Sequence, residues 1–272
     1  MARQQTEALK KYLAGLFDAD GSISFHFYKL ADGGYRAGLK WSLMTTSSID
    51  RNFKTLHMLH EAFPYGSICY PDRRKETWEP VALWQIQHKG ELEKFIPHIA
   101  KYAYIKGGHL MRMLEKRREI SGRSLSEAEV KALKVWVKQS RRDTRPLKPK
   151  NYPSAAWLAG ITDGDGSLVC KYQPKKKYMR MRYTIAEADN DVTALEFIQR
   201  AFGGEIRLHG SSSTATVKRL ELNLGHSNTA KTRKFLHYIL PHLRMKKHAA
   251  EQILAQHKQR LSERTPTGEA TV

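Results

Sequence analysis

Two stretches decide how this chain is read: YLAGLFDADGS at Tyr12–Ser22 and WLAGITDGDGS at Trp157–Ser167. Seven of their eleven positions are identical, and a constant offset of 145 residues matches Asp20 with Asp165. A segment repeated at the spacing of a whole domain marks a duplication. Within the copies small residues recur four apart, Gly15 with Ala19 and Gly160 with Gly164. Read as helices, both copies carry one flat face where backbones can approach closely. If those faces pack on each other, the acids at the helix ends come together.

Downstream of each copy the sequence alternates. Ile23, Phe25 and Phe27 share one side of a strand against Ser24, His26 and Tyr28; Leu39, Trp41 and Leu43 then oppose Lys40, Ser42 and Met44. In the second copy Leu168, Cys170 and Tyr172 oppose Val169, Lys171 and Gln173. Met179, Met181, Tyr183 and Ile185 oppose Arg180, Arg182 and Thr184. A period of two with one apolar side predicts antiparallel strands covered by helices on that side only. Each copy continues through a helix ending at Ala62-Phe63 or Ala201-Phe202, a glycine-bearing turn, more strand and a basic helix. The expected fold class is α+β, built twice.

The first half is expected to span 1–141. It includes a helical extension, SLSEAEVKALKVWVKQS, capped by Ser124 and carrying an apolar stripe of Leu133, Trp136 and Val137. Prolines and basic residues mark 142–152 as a linker, 153–261 form the second half, and 262–272 read as a polar tail without structure.

Composition narrows the function. Hydrophobic residues make up 40% of the 272, enough for a core, while 47 Lys and Arg against 27 Asp and Glu leave a net charge of +20. Such an excess repels itself and calls for a polyanionic partner, nucleic acid above all. No apolar run is long enough to span a bilayer, and MARQQTEALKK lacks the apolar core of a secretory signal. Cys69 and Cys170 are too few and too far apart for a zinc site or disulfide framework, and read as core thiols of a reducing compartment. The histidines are scattered without an HExxH pattern; His98 and His242, both in Pro-His pairs, read as repeat-matched positions.

Close carboxylates repel unless a cation sits between them. Oxygen-only ligands suit Mg²⁺, with water and phosphate oxygens completing the shell. Asp20 and Asp165 are therefore the candidate ligands and catalytic acids, whereas Asp18 and Asp163 read as structural contacts. A calcium loop opening at Asp18 is excluded, because its sixth and twelfth places hold Ile23 and Lys29 instead of Gly and Glu.

The segments YLAGLFDADG and WLAGITDGDG resemble the signature of the LAGLIDADG homing endonucleases, and the likeness runs through the whole duplicated pattern. The first copy departs at Phe17 and the second at Thr162 and Gly164; both terminal acids are intact. The resemblance implies two pseudo-symmetric αββαββα-type halves, antiparallel sheets forming a DNA-binding saddle, and motif helices packed at the interface. It implies a monomeric, site-specific double-strand DNA endonuclease, encoded within an intron. The metal would be Mg²⁺, with Mn²⁺ or Ca²⁺ able to occupy the same place, and the backbone carbonyls of Ala19 and Gly164 would join the acids. The family's lysine before the last helix of each half maps to Lys246 in PHLRMKKHA and to Lys106 in PHIAKYAYIKGGH. Its polar residue at the end of the second strand maps to Ser47 and Glu187. Relatives also act as RNA-splicing maturases on intron RNA or as non-cleaving regulators, but the paired acids favour the enzyme. Bacterial cytoplasm and organelle are both open as the compartment.

A two-stranded ribbon fits the major groove and offers alternate side chains to base edges. The readers are then Ser24, His26, Tyr28, Lys40 and Ser42 in one half, and Val169, Lys171, Gln173, Arg180, Arg182 and Thr184 in the other, with Lys175–Lys177 on phosphates. Unlike halves imply an asymmetric target on the order of 20 bp.

Overall fold

Alternation along the chain becomes two four-stranded antiparallel sheets in the computed structural model, which describes residues 2–46, 50–71, 79–143, 154–173, 178–188, 193–209, 219–224 and 229–262. The chain divides into two units, Met1–Gly164 and Asp165–Val272. In the first, α1 (Ala2–Asp20) runs directly into β1 (Gly21–Lys29), which pairs with β2 (Tyr35–Thr46). Next come α2 (Asp50–Ala62), β3 (Ser67–Cys69) and β4 (Val81–Ile86), giving the strand order β1-β2-β4-β3. Helices α3 (Lys89–Ala100), α4 (Gly107–Ile120), α5 (Glu127–Asp143) and α6 (Ala155–Asp165) follow; α6 groups with this unit as far as Gly164.

One face of this sheet holds the core. Leu39, Trp41, Leu43, Ala82, Trp84 and Ile86 are fully buried there against Leu13, Phe17, Phe95 and Leu110. Phe17 stacks on Trp41 with ring centroids 5.2 Å apart, and Trp41 meets Trp84 and Phe95 edge-on at 5.1 and 4.9 Å. Burying rings of this size supplies most of the hydrophobic stabilisation, and edge-to-face contacts add to it. The Trp84 indole N–H finds the Tyr65 carbonyl at 2.7 Å, which offsets its loss of water.

The expected extension is α5. Its cap is Ser126, not Ser124: the Ser126 hydroxyl accepts from Glu129 N at 3.2 Å, and Ser126 N donates to the Glu129 carboxylate at 2.8 Å. That reciprocal pair is the capping box of Ser-x-x-Glu, which Ser124 cannot form because Glu127 opens the helix itself. Val130 and Leu133 pack with Ile120 and Leu125, and Phe25, Phe27, Tyr35, Ala37 and Trp136 close round them. Backbone bonds between Tyr35 and Leu125, 2.8 Å each way, tie the start of β2 to the segment before α5. The extension thus covers the apolar side of the β1–β2 hairpin. Helix α5 continues through Asp143, so Arg142 and Asp143 of the expected linker are helical.

The second unit repeats the scheme: β5 (Gly166–Gln173), β6 (Tyr178–Ala188), α7 (Thr193–Phe202), β7 (Glu205–His209), β8 (Arg219–Leu224), α8 (Thr229–Ile239) and α9 (Lys247–Ser262), with strand order β5-β6-β8-β7. Met181, Tyr183 and Ile185 are buried beneath Leu195, Ile198, Phe235, Leu236 and Ile239, and Tyr183 lies 4.5 Å from Phe235 between ring centroids.

Each sheet is followed by two closing helices, and their hydrogen bonds align the halves. His242 N and Leu243 N bond Ile239 O as Tyr102 N and Ala103 N bond Ile99 O; Ala250 N bonds Lys246 O as Leu110 N bonds Lys106 O. His242 therefore matches Tyr102, and the two Pro-His pairs are not equivalent: Pro97 lies inside α3, whereas Pro241 follows α8. The lysine assignment holds at the backbone, with Lys106 and Lys246 at matching positions. The cysteines are not core thiols, since both are half-buried. Ser47, Lys175–Lys177, residues 144–152 of the linker and 263–272 of the tail lie outside the described residues.

Candidate active site and nucleic-acid interface

The small faces of the motif helices do pack. A side-chain carbon added to Gly15 would overlap the Trp157 carbonyl, and one added to Gly160 would overlap the Tyr12 carbonyl. Glycine is what lets α1 and α6 cross with their backbones in contact. The helix ends are knitted by two reciprocal bonds: Tyr12 O–H donates to the Asp163 carboxylate at 2.7 Å, and the Trp157 indole N–H donates to Asp18 at 2.9 Å. The aromatic residue opening each motif thus binds the first acid of the other. Asp18 and Asp163 are 2% and 5% exposed, and the structural role expected of them is what they have. Burial pushes the Asp18 carboxyl up to about 6, despite the Lys106 and Ile105 backbone N–H groups, at 2.8 and 3.2 Å, and the Trp157 indole favouring its charge.

Asp20 is the last residue of α1 and, unlike Asp18, is exposed. Gly164 abuts Ala19 and Asp20, and Asp165, also exposed, is the next residue in the chain. Lys106 caps the end of α1: its ammonium donates to the carbonyls of Ala19 at 2.8 Å, Gly21 at 3.0 Å and Phe17 at 3.1 Å. Helix-end carbonyls carry partial negative charge, so a cation stabilises them. The oxygens of Asp20 and Ala19 also suit a hard divalent ion. The Ala19 carbonyl keeps a second lone pair beside Lys106, and no group of three His, Cys, Asp or Glu forms a ready metal cage among the described residues. Any cation there needs water or phosphate oxygens as well.

The open face of the first sheet carries Ser24, His26, Tyr28, Lys40 and Ser42, as the alternation implied. Register adds Arg36 opposite Tyr28 and Gln85 opposite Ser42; the alternation legible in the sequence starts at Leu39 in β2 and does not reach β4. Tyr28 is 55% exposed. His26 is half-buried: its ring lies over Gly38, where a side chain would collide with it, and meets Tyr28 edge-on at 4.8 Å. Burial, with the nearby Lys40 charge, lowers the His26 pKa. Ser42 does not stand out from the sheet as a reader should. It is buried, with its hydroxyl 2.9 Å from that of Ser22.

In the second sheet register places Val169 opposite Arg182, Lys171 opposite Arg180 and Ser167 opposite Thr184, with Gln173 on the same face. Lys171 is exposed and Arg182 half-buried, but Thr184, like its counterpart Ser42, is buried. Register also makes Thr45, not Ser47, the counterpart of Glu187, counting from Gly21 opposite Leu43 and Gly166 opposite Ile185.

The family model for LAGLIDADG endonucleases matches residues 13–110. Among solved structures, the LAGLIDADG homing endonuclease I-GzeII in complex with its DNA target is 17% identical, with a TM-score of 0.69 over 95% of this chain and 93% of that one. I-SmaMI bound to cleaved DNA is 20% identical, with a TM-score of 0.67 over 95% and 92%. A further structure of I-SmaMI, bound to uncleaved DNA target in the presence of calcium ions, is 19% identical, with a TM-score of 0.62 over 93% and 95%. No curated protein matches the chain significantly. Residues 13–110 thus carry the sequence pattern of that family model. The chain as a whole has the fold of the LAGLIDADG homing endonucleases in the single-chain form with two motifs. No helix among the described residues is long and apolar enough to cross a membrane.

Proposed function

We propose that the chain is a site-specific double-strand DNA endonuclease of the homing type, intron-encoded, working as a monomer on an asymmetric target on the order of 20 bp. The observation that carries this reading is the glycine-mediated crossing of α1 and α6. It sets Gly164 against Ala19 and Asp20, and both terminal acids are exposed at the ends of the crossing helices. Asp20 and Asp165, with the carbonyls of Ala19 and Gly164, are the ligands of a divalent ion, Mg²⁺ in the cell. Bound there, the ion supplies positive charge to the scissile phosphate and lowers the pKa of a water. Lys106 holds the end of α1 in place and keeps a positive charge beside Asp20; Lys246 is its counterpart in the second half. Glu187, with Thr45 at the matching position of the first half, is the candidate for orienting water. The open sheet faces bind the duplex, with Lys40, Lys171, Arg180 and Arg182 supplying charge and hydrogen-bond donors.

The reading is tested by selecting bound sequences from a randomised duplex pool in Ca²⁺ and placing the winner in a supercoiled plasmid. Linear product with Mg²⁺ and none with EDTA is the expected result. A selected site that is bound but never cut reassigns the chain as a binding protein. Sedimentation of the free protein as an obligate dimer overturns the monomer.

A further inference from the structure

The two open sheet faces can be compared row by row, because their registers coincide. Ser42, Gln85 and Ser67 form one row across β2, β4 and β3; its counterpart across β6, β8 and β7 is Thr184, Asn223 and Glu205. Both rows are polar. The next row differs in kind. In the first sheet it is Met44, Leu83 and Cys69; in the second it is Ala186, Glu221 and Arg207. One row further, Thr46 with Val81 answers to Ala188 with Arg219.

The apolar row is not buried. Met44 is 51% exposed, among the most exposed large hydrophobic side chains described, and Leu83 and Cys69 are half-covered. A contiguous apolar strip left open on a sheet face is a candidate contact surface. This strip shares its face with Lys40 and Arg36, so the partner is anionic overall yet presents apolar groups at this spot. Duplex DNA meets both conditions. Its phosphates pair with the basic residues, and the one apolar group that its bases offer in the major groove is the thymine 5-methyl.

We infer that Met44, Leu83 and Cys69 read thymine methyl groups, so that the half-site under the first sheet carries A·T pairs where that row meets it. Gly21 pairs with Leu43, so Met44 lies one residue past the start of β1, at the end of the sheet nearest Asp20. The A·T pairs therefore belong to the inner part of the half-site, next to the cleavage position. This inference rests on the proposed function and adds the base chemistry of the target.

The test uses the full chain in Ca²⁺ and a randomised duplex pool. Sequences selected by wild type, Met44→Gln, Lys40→Ala and Arg182→Ala assign each half-site to its sheet. The wild-type winner is then rebuilt with uracil for thymine, one position at a time, which removes only the methyl group. Two or three adjacent inner positions of the first half-site should be A·T, and each methyl removed there should weaken binding about fourfold. Met44→Gln, at an exposed position, should relax those positions, lose the uracil sensitivity and leave the second half-site unchanged. Inner positions that are G·C, binding indifferent to uracil, or undiminished sensitivity in Met44→Gln overturns the inference while the proposed function stands. A pool that yields no preferred sequence overturns both.

Discussion

The first and second units share one scaffold but are braced differently. Strand order, register and the bonds opening the closing helices coincide, from Gly21 opposite Leu43 and Gly166 opposite Ile185 to Lys106 and Lys246 at matching positions. Helix α5 has no counterpart among the described residues of the second unit. It seals the apolar side of the β1–β2 hairpin through Val130 and Leu133. Duplication thus preserved what builds the sheet and the helix crossing, while the surface rows and the outer support diverged. If the two copies bind two different half-sites, as proposed, that is the division expected where backbone geometry is common property and side chains carry specificity.

The comparison breaks first at the helix crossing. Gly15→Val and Gly160→Val should each cost about 3–5 kcal/mol, because each drives three carbons into a backbone carbonyl and the helices cannot part without exposing Leu13 or Leu158. Urea unfolding measures the loss; a cost under about 1 kcal/mol at either site would mean that the crossing is not tight. Leu133→Ala comes next, with about 2–3 kcal/mol lost from the cluster under the hairpin. Hydrogen exchange should rise in β1 and β2 and stay unchanged in β5 and β6. Equal rises in both hairpins would deny α5 its role as a brace.

Much of this was legible beforehand for a physical reason. Period-two alternation and small residues at helical spacing are local signals, and they located β1, β2, β5, β6 and the packing faces of α1 and α6. What escaped depends on partners distant in sequence. Nothing near Trp157 says that its indole reaches Asp18, although both motifs do open on an aromatic residue able to donate. The Pro-His pairs mislead because a dipeptide match does not fix a structural one: hydrogen bonding sets His242 against Tyr102. The burial of Ser42 and Thr184 was hidden because a polar residue on an open face can still be covered by its neighbours on that face.

Two smaller effects sharpen the contrast between the halves. Lys106→Met should lower stability by about 1–2 kcal/mol, seen as a drop in Tm, since it leaves the carbonyls at the end of α1 without their cation. An unchanged Tm would make Lys106 irrelevant to the helix end. His109, buried between α4 and α5 with Nδ1 3.3 Å from the Ser140 hydroxyl, has its pKa lowered to about 4 by burial and by the charges of Arg141, Arg112 and Lys106. A depressed histidine contributes stability that is full above its ordinary value near 6.5 and is lost as pH falls through about 4. By pH 5.5 wild type should therefore lose about 1 kcal/mol more than His109→Gln. Identical pH profiles for the two proteins would show that the imidazole is not held neutral by the α4–α5 packing.

The central claim is that each half supplies one acid and that both are needed for either strand to be cut. Asp20→Asn and Asp165→Asn, each assayed separately on a supercoiled plasmid carrying the selected target in Mg²⁺, test it most directly. The amide keeps the shape of the side chain but removes a charge from the proposed metal ligands, and it leaves the sheet faces proposed to bind DNA untouched. Both variants should bind as well as wild type and leave the plasmid supercoiled, with neither nicked nor linear product. Cleavage at near wild-type rate by either variant, or loss of DNA binding in either, would contradict the account.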